Sequence, residues 1–429
     1  MPKDLLISHP GSLQLLYGIF AAAAQAGWQP RLWTGYHFDE TGLIERLAAR
    51  APGALAPKLM RELRRRGSDA VPLQAVVRLP WLELPTVAAL RSLPRLGALP
   101  RLLGLRNAIF DAMVAREVRR HPPALVMPVD SAALTTIRAA RAAGVPSLLN
   151  QTIGHVAVGQ RILMEEAALH PDWADSMPLA LPPRLVERAR REAIEADAVL
   201  APSAYVERTL IEIGVRPERI FVLPYGVRTD RFAPGPRRSR ETGPFRILYV
   251  GQISQRKGLA YLLEAVRRLG RSDIELLLVG SIVGAGAGLR SYEGHFRHLA
   301  NRPHGELAEI YRSADLFVYP SLHEGSAQAI MEALASGLPA IVTANAGSVV
   351  REGVEGHIVP IRDVEALAHR IEGLYRDRSR REAFSEAARR RAEEHDWGRY
   401  AAGFEPLLKT SSGIVPGPVG GQGINWTRR

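Results

Sequence analysis

Short apolar runs of strand length alternate with helical stretches along most of the chain, and this alternation constrains the fold more than any other feature. The clearest strand predictions cover residues 5–8, 198–202, 245–250, 274–279 and 316–319. Such alternation is typical of parallel sheets that carry helices on both faces. The sequence therefore predicts an α/β fold. Residues 40–120 differ, because they are rich in Arg, Leu and Pro and contain no clear strand except around 76–79.

A segment rich in proline and glycine divides the chain into two parts. Residues 231–244 contain three prolines and two glycines, a composition typical of interdomain linkers. We therefore predict two doubly wound domains, at residues 1–230 and 245–395. A helical stretch at residues 396–410 follows the second domain. Residues 411–429 are rich in Gly, Pro and Ser, which predicts a disordered tail.

The most informative segment lies between Tyr319 and Thr343, where a predicted strand is followed by a short loop and a helix. The loop carries Glu324, Gly325 and Ser326. In open α/β sheets, ligands bind at the carboxyl ends of the strands. We expect Ser326 to cap the helix and Gly325 to let a ligand approach the backbone closely. The free amides at the helix start would suit a phosphate.

Two carboxylates flank this predicted phosphate position. Glu324 lies just before the helix and Glu332 about two turns inside it, which places them about 10 Å apart. That separation suits one extended ligand with hydroxyls at both ends and a phosphate in the middle. It fits poorly with the ~5–5.5 Å between the carboxyl groups of a retaining glycoside hydrolase.

A second loop offers cations at the same edge of the sheet. The sequence Tyr-Val-Gly-Gln-Ile-Ser-Gln-Arg-Lys-Gly at residues 249–258 follows a strand and precedes a helix. Gly251 ends the strand, Gln252 follows it, and Arg256 and Lys257 could clamp a diphosphate as a fork and a point charge.

The sequence gives no sign of a resident cofactor or metal. Residues 280–288 are glycine-rich but lack the G-x-G-x-x-G spacing of a dinucleotide site. No Asp-x-Asp motif suited to a metal-dependent transferase is present. The chain also contains no cysteine, which excludes a disulfide framework, a cysteine nucleophile and a thiolate-ligated metal. We therefore expect neither a metal nor a bound cofactor.

In combination these motifs resemble the retaining glycosyltransferases of family 4, the glycosyl transferases group 1. The resemblance rests on E-x7-E from Glu324 to Glu332, on the 250–258 loop, and on residues 198–206 and 220–227. It covers about residues 195–405 and is weak over 1–150. It implies the GT-B fold, in which two Rossmann-like domains face each other across a cleft, and a helix at 396–410 that packs back on the first domain.

The resemblance also implies roles for individual residues. Glu332 would bind the ribose of a nucleotide. Glu324 would hold the donor sugar as a catalytic residue, beside the backbone amides of Gly325, Ser326 and Ala327. Lys257, together with Arg256 or Gln252, would bind the diphosphate. The family often has Arg where Gln252 stands, and Asn-Gly-Val-Asp where this chain has Tyr-Gly-Val-Arg at 225–228.

The first domain would supply the acceptor side of the cleft. Gly11 and Ser12 follow the first strand, and His155 lies in a loop after the strand predicted at 146–150. His155 is the candidate for a polar, catalytic contact to the reacting sugar, since some relatives place a histidine in such a loop. A surface position fits a lone loop histidine equally well. Glu165, Glu166 and His170 fit a polar helix face as well as a site.

The resemblance implies a retaining hexosyltransferase that moves a sugar from a nucleotide-diphosphate donor to a saccharide or lipid-linked acceptor. Cations and a helix start can stabilise the leaving diphosphate without metal. Two alternatives remain: a nucleotide-sugar epimerase on a related fold, and a basic nucleic-acid-binding protein.

The charge distribution is relevant to the nucleic-acid-binding alternative and to the location of the protein in the cell. The chain has a net charge of +12, and residues 58–120 contain 13 basic and 5 acidic residues, a net charge of +8. This stretch has only Trp81 and Phe110 as aromatics and no nucleic-acid-binding motif, so we expect no nucleic-acid partner. A basic, Leu-rich segment can instead lie on an anionic membrane. The apolar stretch at 13–28 falls short of the ~20 residues that span a bilayer. We expect a cytoplasmic protein in peripheral contact with the inner face of the membrane.

Overall fold

The computed structural model describes residues 3–53, 55–68, 70–92, 98–178, 180–235 and 243–412. Most of the predicted linker, at 236–242, and nearly all of the predicted tail, at 413–429, lie outside the described residues.

The first half of the chain builds a parallel sheet. Its strands are β1 (Lys3–His9), β2 (Trp28–Thr34), β3 (Val76–Arg78), β4 (Leu125–Pro128), β5 (Leu148–Asn150), β6 (Ala198–Ala201) and β7 (Ile220–Val222). Two parallel ladders have the orders β3-β2-β1-β4 and β5-β6-β7. Isolated parallel bridges from Val126 to Ser147 and from Val129 to Asn150 join β4 to β5. The two ladders therefore form one twisted sheet whose carboxyl ends lie along a single edge.

Helices cover both faces of this sheet. They are α1 (Leu15–Gln25), α2 (Leu43–Ala49), α3 (Leu55–Arg64), α4 (Pro80–Ser92), α5 (Leu99–Arg120), α6 (Leu134–Ala142), α7 (Val156–Leu169), α8 (Pro183–Glu195) and α9 (Ala204–Glu212). The Arg- and Leu-rich stretch at 40–120 is thus mainly helical. Buried Phe110, Val114 and Val118 recur one turn apart on α5, so this basic helix still presents an apolar face to the core.

The second half builds a separate six-stranded parallel sheet. Its strands are β8 (Phe245–Val250), β9 (Ile274–Val279), β10 (Arg297–Leu299), β11 (Leu316–Tyr319), β12 (Ala340–Thr343) and β13 (Gly356–Val359). The order is β10-β9-β8-β11-β12-β13, which is the 3-2-1-4-5-6 order of the Rossmann fold. The sequence predicted the four central strands, at residues 245–250, 274–279, 316–319 and 340–343. It missed the edge strands β10 and β13, which are short and carry polar residues such as Arg297 and His357.

Six helices accompany the second sheet. They are α10 (Leu259–Leu269), α11 (His304–Arg312), α12 (Gln328–Ala335), α13 (Val364–Arg376), α14 (Arg378–Glu393) and α15 (Trp397–Ser412). The last of them, α15, leaves the second domain and packs against α1 of the first. Tyr400, Phe404 and Leu408 of α15 are buried in the same core as residues of α1. A Cβ atom at Gly18 of α1 would lie 2.3 Å from the ring of Trp397, so a glycine there lets the two helices meet.

The segment after β5 extends from the first domain to the second, whereas α15 extends from the second domain to the first. Trp173, in a 3-10 helix at Pro171–Ser176, is part of the core of the second domain. The Ser176 hydroxyl accepts a hydrogen bond from the backbone amide of Gln255, at 2.9 Å. The two domains are therefore tied together by α15 on one side and by α7 and its 3-10 extension on the other. Within the described residues, no helix is both long and apolar enough to span a membrane.

Candidate active site at the cleft between the two sheets

The carboxyl edges of the two sheets meet through the loop that follows β11. The amide of Gly154 donates to the carbonyl oxygen of Glu324 at 3.0 Å, and the hydroxyl of Ser203 donates to that of Gly325 at 2.6 Å. The Tyr205 hydroxyl and His323 Nδ1 form a further hydrogen bond of 2.7 Å. The predicted E-x7-E loop is therefore held against the first domain by hydrogen bonds from three of its residues.

Glu324 lies at the centre of a buried charge cluster, which we call the donor-edge cluster, together with Arg256 and Lys257. Arg256 Nη1 lies 2.8 Å and Lys257 Nζ 2.6 Å from Glu324 Oε1. Burial by itself would raise the pKa of Glu324, but the two cations outweigh it and hold that pKa below its ordinary value. Burial lowers the pKa of Lys257 to about 8. The structure thus brings together three residues that the sequence predicted in two separate loops.

Two stacked tyrosines lie next to the donor-edge cluster. Tyr249 of β8 and Tyr319 of β11 stack with ring centroids 5.3 Å apart, and Lys257 Nζ lies 5.2 Å from the centroid of Tyr319. The Tyr249 hydroxyl donates to the carbonyl oxygen of Gln252 at 2.7 Å, next to Gly251. The sequence analysis did not assign a role to these tyrosines. Both lie within the last two residues of a strand that leads into a predicted site loop.

The start of α12 differs from the prediction. The helix begins at Gln328, with Ala327 in the N-cap position and no side-chain cap, so the expectation that Ser326 caps the helix is wrong. The physical reason is the extended backbone at Ala327 (φ −72°, ψ 102°), which delays the first helical residue beyond Ser326. Gly325 was expected to let a ligand approach the backbone, but its neighbour in the structure is Thr152 of the first domain. A Cβ atom there would lie 1.8 Å from the carbonyl oxygen of Thr152, so this glycine permits contact with the first domain.

Glu332 lies in α12, apart from the donor-edge cluster. It accepts a hydrogen bond of 2.9 Å from the Tyr311 hydroxyl. Burial raises the pKa of Glu332 to about 7, in opposition to this hydrogen bond. Its ionisation is therefore balanced near neutral pH, whereas Glu324 is ionised.

The predicted acceptor residues occupy two different environments. Ser12 Oγ donates to the carbonyl oxygen of Tyr36 at 2.6 Å and contacts both carboxylate oxygens of Glu83 at 3.0 Å. Gly11 accepts a hydrogen bond of 3.1 Å from the Thr34 hydroxyl. Both lie at the carboxyl edge of the first sheet, where the sequence analysis expected them.

His155 is part of the protein interior. It is 1% exposed, and its Nδ1 accepts a hydrogen bond of 3.2 Å from the amide of Ala157, which caps α7. Burial lowers its pKa to about 4, so the imidazole is neutral. This arrangement gives His155 a structural task, and its contact with a reacting sugar stays a prediction.

Asp130 was not predicted, yet it lies where the two domains meet. It follows β4, and its Oδ1 accepts hydrogen bonds from the Thr152 amide at 3.0 Å and hydroxyl at 2.7 Å. Thr152 in turn touches Gly325. The position of Asp130 immediately after a strand was a signal available in the sequence.

Glu166 is fully buried, and it joins the two domains. Its Oε1 accepts from Gln255 Nε2 and from the Tyr261 hydroxyl, each at 2.7 Å, and its Oε2 accepts from Arg362 Nε at 2.8 Å. Gln255 precedes Arg256 and Lys257 directly and accepts a hydrogen bond from Ala260 at the start of α10. The first domain thus fixes the loop that carries both cations of the donor-edge cluster. No group of acidic and histidine side chains suited to a metal ion occurs among the described residues.

Comparison with known proteins decides the family of the second half. Residues 236–391 match the family described as glycosyl transferases group 1. The second domain is therefore similar to the glycosyl transferases group 1 over nearly its whole length. This confirms the resemblance based on the E-x7-E segment and the 250–258 loop. Neither an epimerase nor a nucleic-acid-binding protein is favoured by the comparisons.

The curated relative D-inositol 3-phosphate glycosyltransferase of Geodermatophilus obscurus is 34% identical over 259 residues, covering 52% of this chain. The match spans 57% of that relative, so it concerns little more than half of its length.

Solved structures resemble the whole fold. Sucrose-phosphate synthase from Thermosynechococcus elongatus has a TM-score of 0.66 and 18% identity, covering 95% of this chain and 98% of its own. The Anabaena protein HepE, in complex with UDP and glucose, has a TM-score of 0.61 and 16% identity, covering 95% of this chain and 100% of its own. The chain therefore has the GT-B fold, with two Rossmann-like domains across a cleft.

Proposed function

We propose that this chain is a retaining glycosyltransferase that moves a hexosyl group from a nucleotide-diphosphate sugar to a saccharide or lipid-linked acceptor, without a metal. The observation that carries the proposal is the donor-edge cluster. A carboxylate and two cations lie together at the carboxyl edge of a group 1 domain, directly opposite the first sheet.

In the proposed reaction, Lys257 and Arg256 bind the diphosphate and stabilise the negative charge that develops on it as the bond to the sugar breaks. Glu332 accepts hydrogen bonds from the ribose hydroxyls. Glu324 accepts hydrogen bonds from the donor sugar and holds the cations in place. The amides of Gly325 to Ala327 lie beside the sugar position.

The donor test is nucleotide binding. Because the structural relative HepE binds UDP, we propose UDP-sugars as the first donors to test, with GDP- and ADP-sugars beside them. Isothermal titration calorimetry with the three nucleoside diphosphates should show binding of one of them. Lys257→Gln should weaken that binding about 10- to 100-fold, since a charge-assisted hydrogen bond contributes about 1.5–3 kcal/mol.

The matched control is Lys409→Gln, which changes an exposed lysine that pairs with Glu405 on α15. It should leave nucleotide affinity unchanged. If no nucleoside diphosphate binds the wild-type chain, or if Lys257→Gln binds as tightly as wild type, the donor assignment is wrong.

Two measurements test the finer statements. Proton NMR of the product should show the same anomeric configuration as the donor, and an inverted product would exclude a retaining mechanism. The rate should survive EDTA treatment, and a loss restored by Mg²⁺ would exclude metal independence. Conversion of the donor to an epimer without any acceptor would favour the epimerase alternative.

We also propose that the basic region around 58–120 contacts an anionic membrane. Of the fifteen large apolar side chains that are exposed in the described residues, seven lie within 58–120, including Leu73, Trp81 and Leu105. Exposed apolar groups interleaved with arginines suit a lipid interface. The apolar side chains insert between the lipids, and the arginines contact the anionic headgroups.

Sedimentation with vesicles tests this contact. Vesicles that contain phosphatidylglycerol should retain the protein at low salt and release it at high salt, and neutral phosphatidylcholine vesicles should not retain it. Trp81→Ser together with Leu105→Ser should weaken retention. Absence of binding to the anionic vesicles at low salt would overturn the proposal.

A further inference from the structure

A second charge cluster lies at the carboxyl edge of the first sheet. Its members are Glu83 of α4, Arg106 of α5 and Arg66 after α3, and we call it the acceptor-edge cluster. Glu83 is 3% exposed, and its Oε1 accepts from the Ser12 amide at 3.2 Å and lies 3.0 Å from the Ser12 hydroxyl. A Cβ atom at Gly35 would lie 2.5 Å from Glu83 Oε2. The carboxylate is therefore wedged between the loops that follow β1 and β2.

Arg106 lies on the face of α5 that packs against the first sheet. It lies one turn before Phe110, which is fully buried between α5 and the sheet. The neighbouring Asn107 donates to the carbonyl oxygen of Ser131, after β4, at 3.1 Å. The amino-terminal part of α5 therefore lies over the strand ends that face the second domain.

Arg106 pairs with no carboxylate among the residues that the structure describes. Its Nε and Nη2 bond to Asn107 Oδ1 at 3.0 and 2.8 Å, and within the described part of the chain it forms no ion pair. Burial lowers the pKa of Arg106, while Glu83 acts in the opposite direction. Burial, with a smaller contribution from Arg106, lowers the pKa of His9 to about 4. The charge of Arg106 thus acts on both groups, and the guanidinium bonds to neither.

Arg66 adds a second cation of the same kind. Its charge acts on Glu83, and among the described residues it too forms no ion pair. Other half-buried arginines are paired, for example Arg31 with Asp4 at 2.9 Å and Arg362 with Glu166 at 2.8 Å. A partly desolvated guanidinium without a counter-ion is unfavourable unless an anion binds there. Two guanidinium groups around one carboxylate leave an excess of one positive charge.

We propose that Arg106, supported by Arg66 and the Gly11–Ser12 loop, binds a single anionic group, a phosphate or a carboxylate, on the acceptor. The assignment of this ligand as the acceptor rests on the proposed function. The position suits it, because Ser131, Asp130 and Thr152 connect Arg106 to Gly325 through contacts along the same cleft. An acceptor anchored at Arg106 would extend toward the donor sugar.

The test uses inorganic phosphate in a Lys257→Gln background, which weakens the other predicted phosphate site. Isothermal titration calorimetry should show saturable phosphate binding to this parent. Adding Arg106→Gln should weaken it at least about 10-fold, the loss of one charge-assisted bond. Adding Arg101→Gln, an exposed arginine on the same helix, should leave it unchanged. Circular dichroism checks that each variant is folded.

Should Arg106→Gln fail to fold, Arg66→Gln, which alters a partly exposed side chain outside the helices, supplies the test and should weaken phosphate binding by a smaller factor. A second arm titrates the wild-type chain with glucose 6-phosphate, glucuronate and glucose, which separates phosphate from carboxylate. One anionic sugar should bind more tightly than glucose, and Arg106→Gln should remove that advantage.

The proposal is overturned if phosphate does not bind the parent, if the arginine variants bind it as the parent does, or if glucose binds as tightly as both anionic sugars. Failure of the donor assignment is a separate result, because UDP binding to the wild-type chain reports on it alone.

Discussion

The two edges of the cleft each contain a buried glutamate with two basic side chains near it, but only one of these clusters is ion-paired. At the donor edge, Glu324 contacts Lys257 and Arg256 at 2.6 and 2.8 Å. At the acceptor edge, Glu83 is hydrogen-bonded by Ser12, and Arg106 forms no ion pair within the described residues. Similar residue types are therefore arranged for different tasks. The donor edge holds its cations in position, whereas the acceptor edge keeps positive charge available.

Replacement of Glu324 should have the largest effect on stability and activity. It leaves the two cations of the donor edge without an ion pair, which is the situation of Arg106 among the described residues of the acceptor edge. Glu324→Gln leaves Arg256 and Lys257 buried without a counter-charge, which should destabilise the fold by about 3–5 kcal/mol and abolish transfer. Urea unfolding measures the stability. Glu293→Gln, at an exposed glutamate, is the control and should change stability by less than about 0.5 kcal/mol. An unchanged unfolding midpoint for Glu324→Gln would mean that the ion pairs do not stabilise the fold.

Glu166 tests whether the first domain holds the donor edge in place. Glu166→Gln removes a buried charge from Arg362 and disturbs Gln255, so we expect a loss of about 2–3 kcal/mol and weaker UDP binding. Phosphate binding at Arg106 should not change. The neighbouring Glu165 pairs with the same arginine at 3.0 Å but is half exposed, so Glu165→Gln should cost under about 1 kcal/mol. Equal effects of the two variants would contradict the assignment.

Glu83 provides the counterpart at the acceptor edge. Glu83→Gln keeps an acceptor for Ser12 and removes a negative charge to which no guanidinium of the described residues bonds, so we expect destabilisation of only about 1 kcal/mol. Phosphate should bind somewhat more tightly, since the positive charge of Arg106 and Arg66 is then unopposed. Calorimetry on Glu83→Gln measures this change. Weaker phosphate binding would instead show that the carboxylate orients the site.

The pH dependence of UDP binding should give the smallest effect, a change of several-fold. Burial raises the pKa of Glu332 from 4.5 to about 7, so between these two pH values the folded protein holds a proton that the unfolded chain releases. This proton stabilises the free protein at low pH, and the stabilisation is lost as the pH rises through 7. A ribose needs the ionised carboxylate, so UDP affinity should rise from pH 6 to 7.5.

Above pH 8 the same affinity should fall again, because burial lowers the pKa of Lys257 to about 8 and the amine then loses its charge. Glu332→Gln should remove the rise below neutral pH and keep the fall above it. A rise of the same size in Glu332→Gln would assign the titration to another group.

The residues of the donor-edge cluster could be predicted from the sequence, whereas those of the acceptor-edge cluster could not. Glu324, Arg256 and Lys257 could be predicted because each lies directly after a strand, in a loop whose neighbours are local in the sequence. Arg106, Glu83 and Glu166 could not, because each lies on a helix where a polar residue equally fits a solvated face. Ser326 shows a local error, since the helix starts one residue later than capping preference suggested.

The sequence by itself determined the α/β class, the division near residues 231–244, the central strands of both sheets and the donor motif. These are properties of short segments, in which the period of apolar residues and the residues that end a strand decide the outcome. The tertiary structure alone decided which charges are paired. Pairing depends on burial and on distances between segments far apart in the chain, such as Glu166 with Arg362, and no local pattern records either quantity.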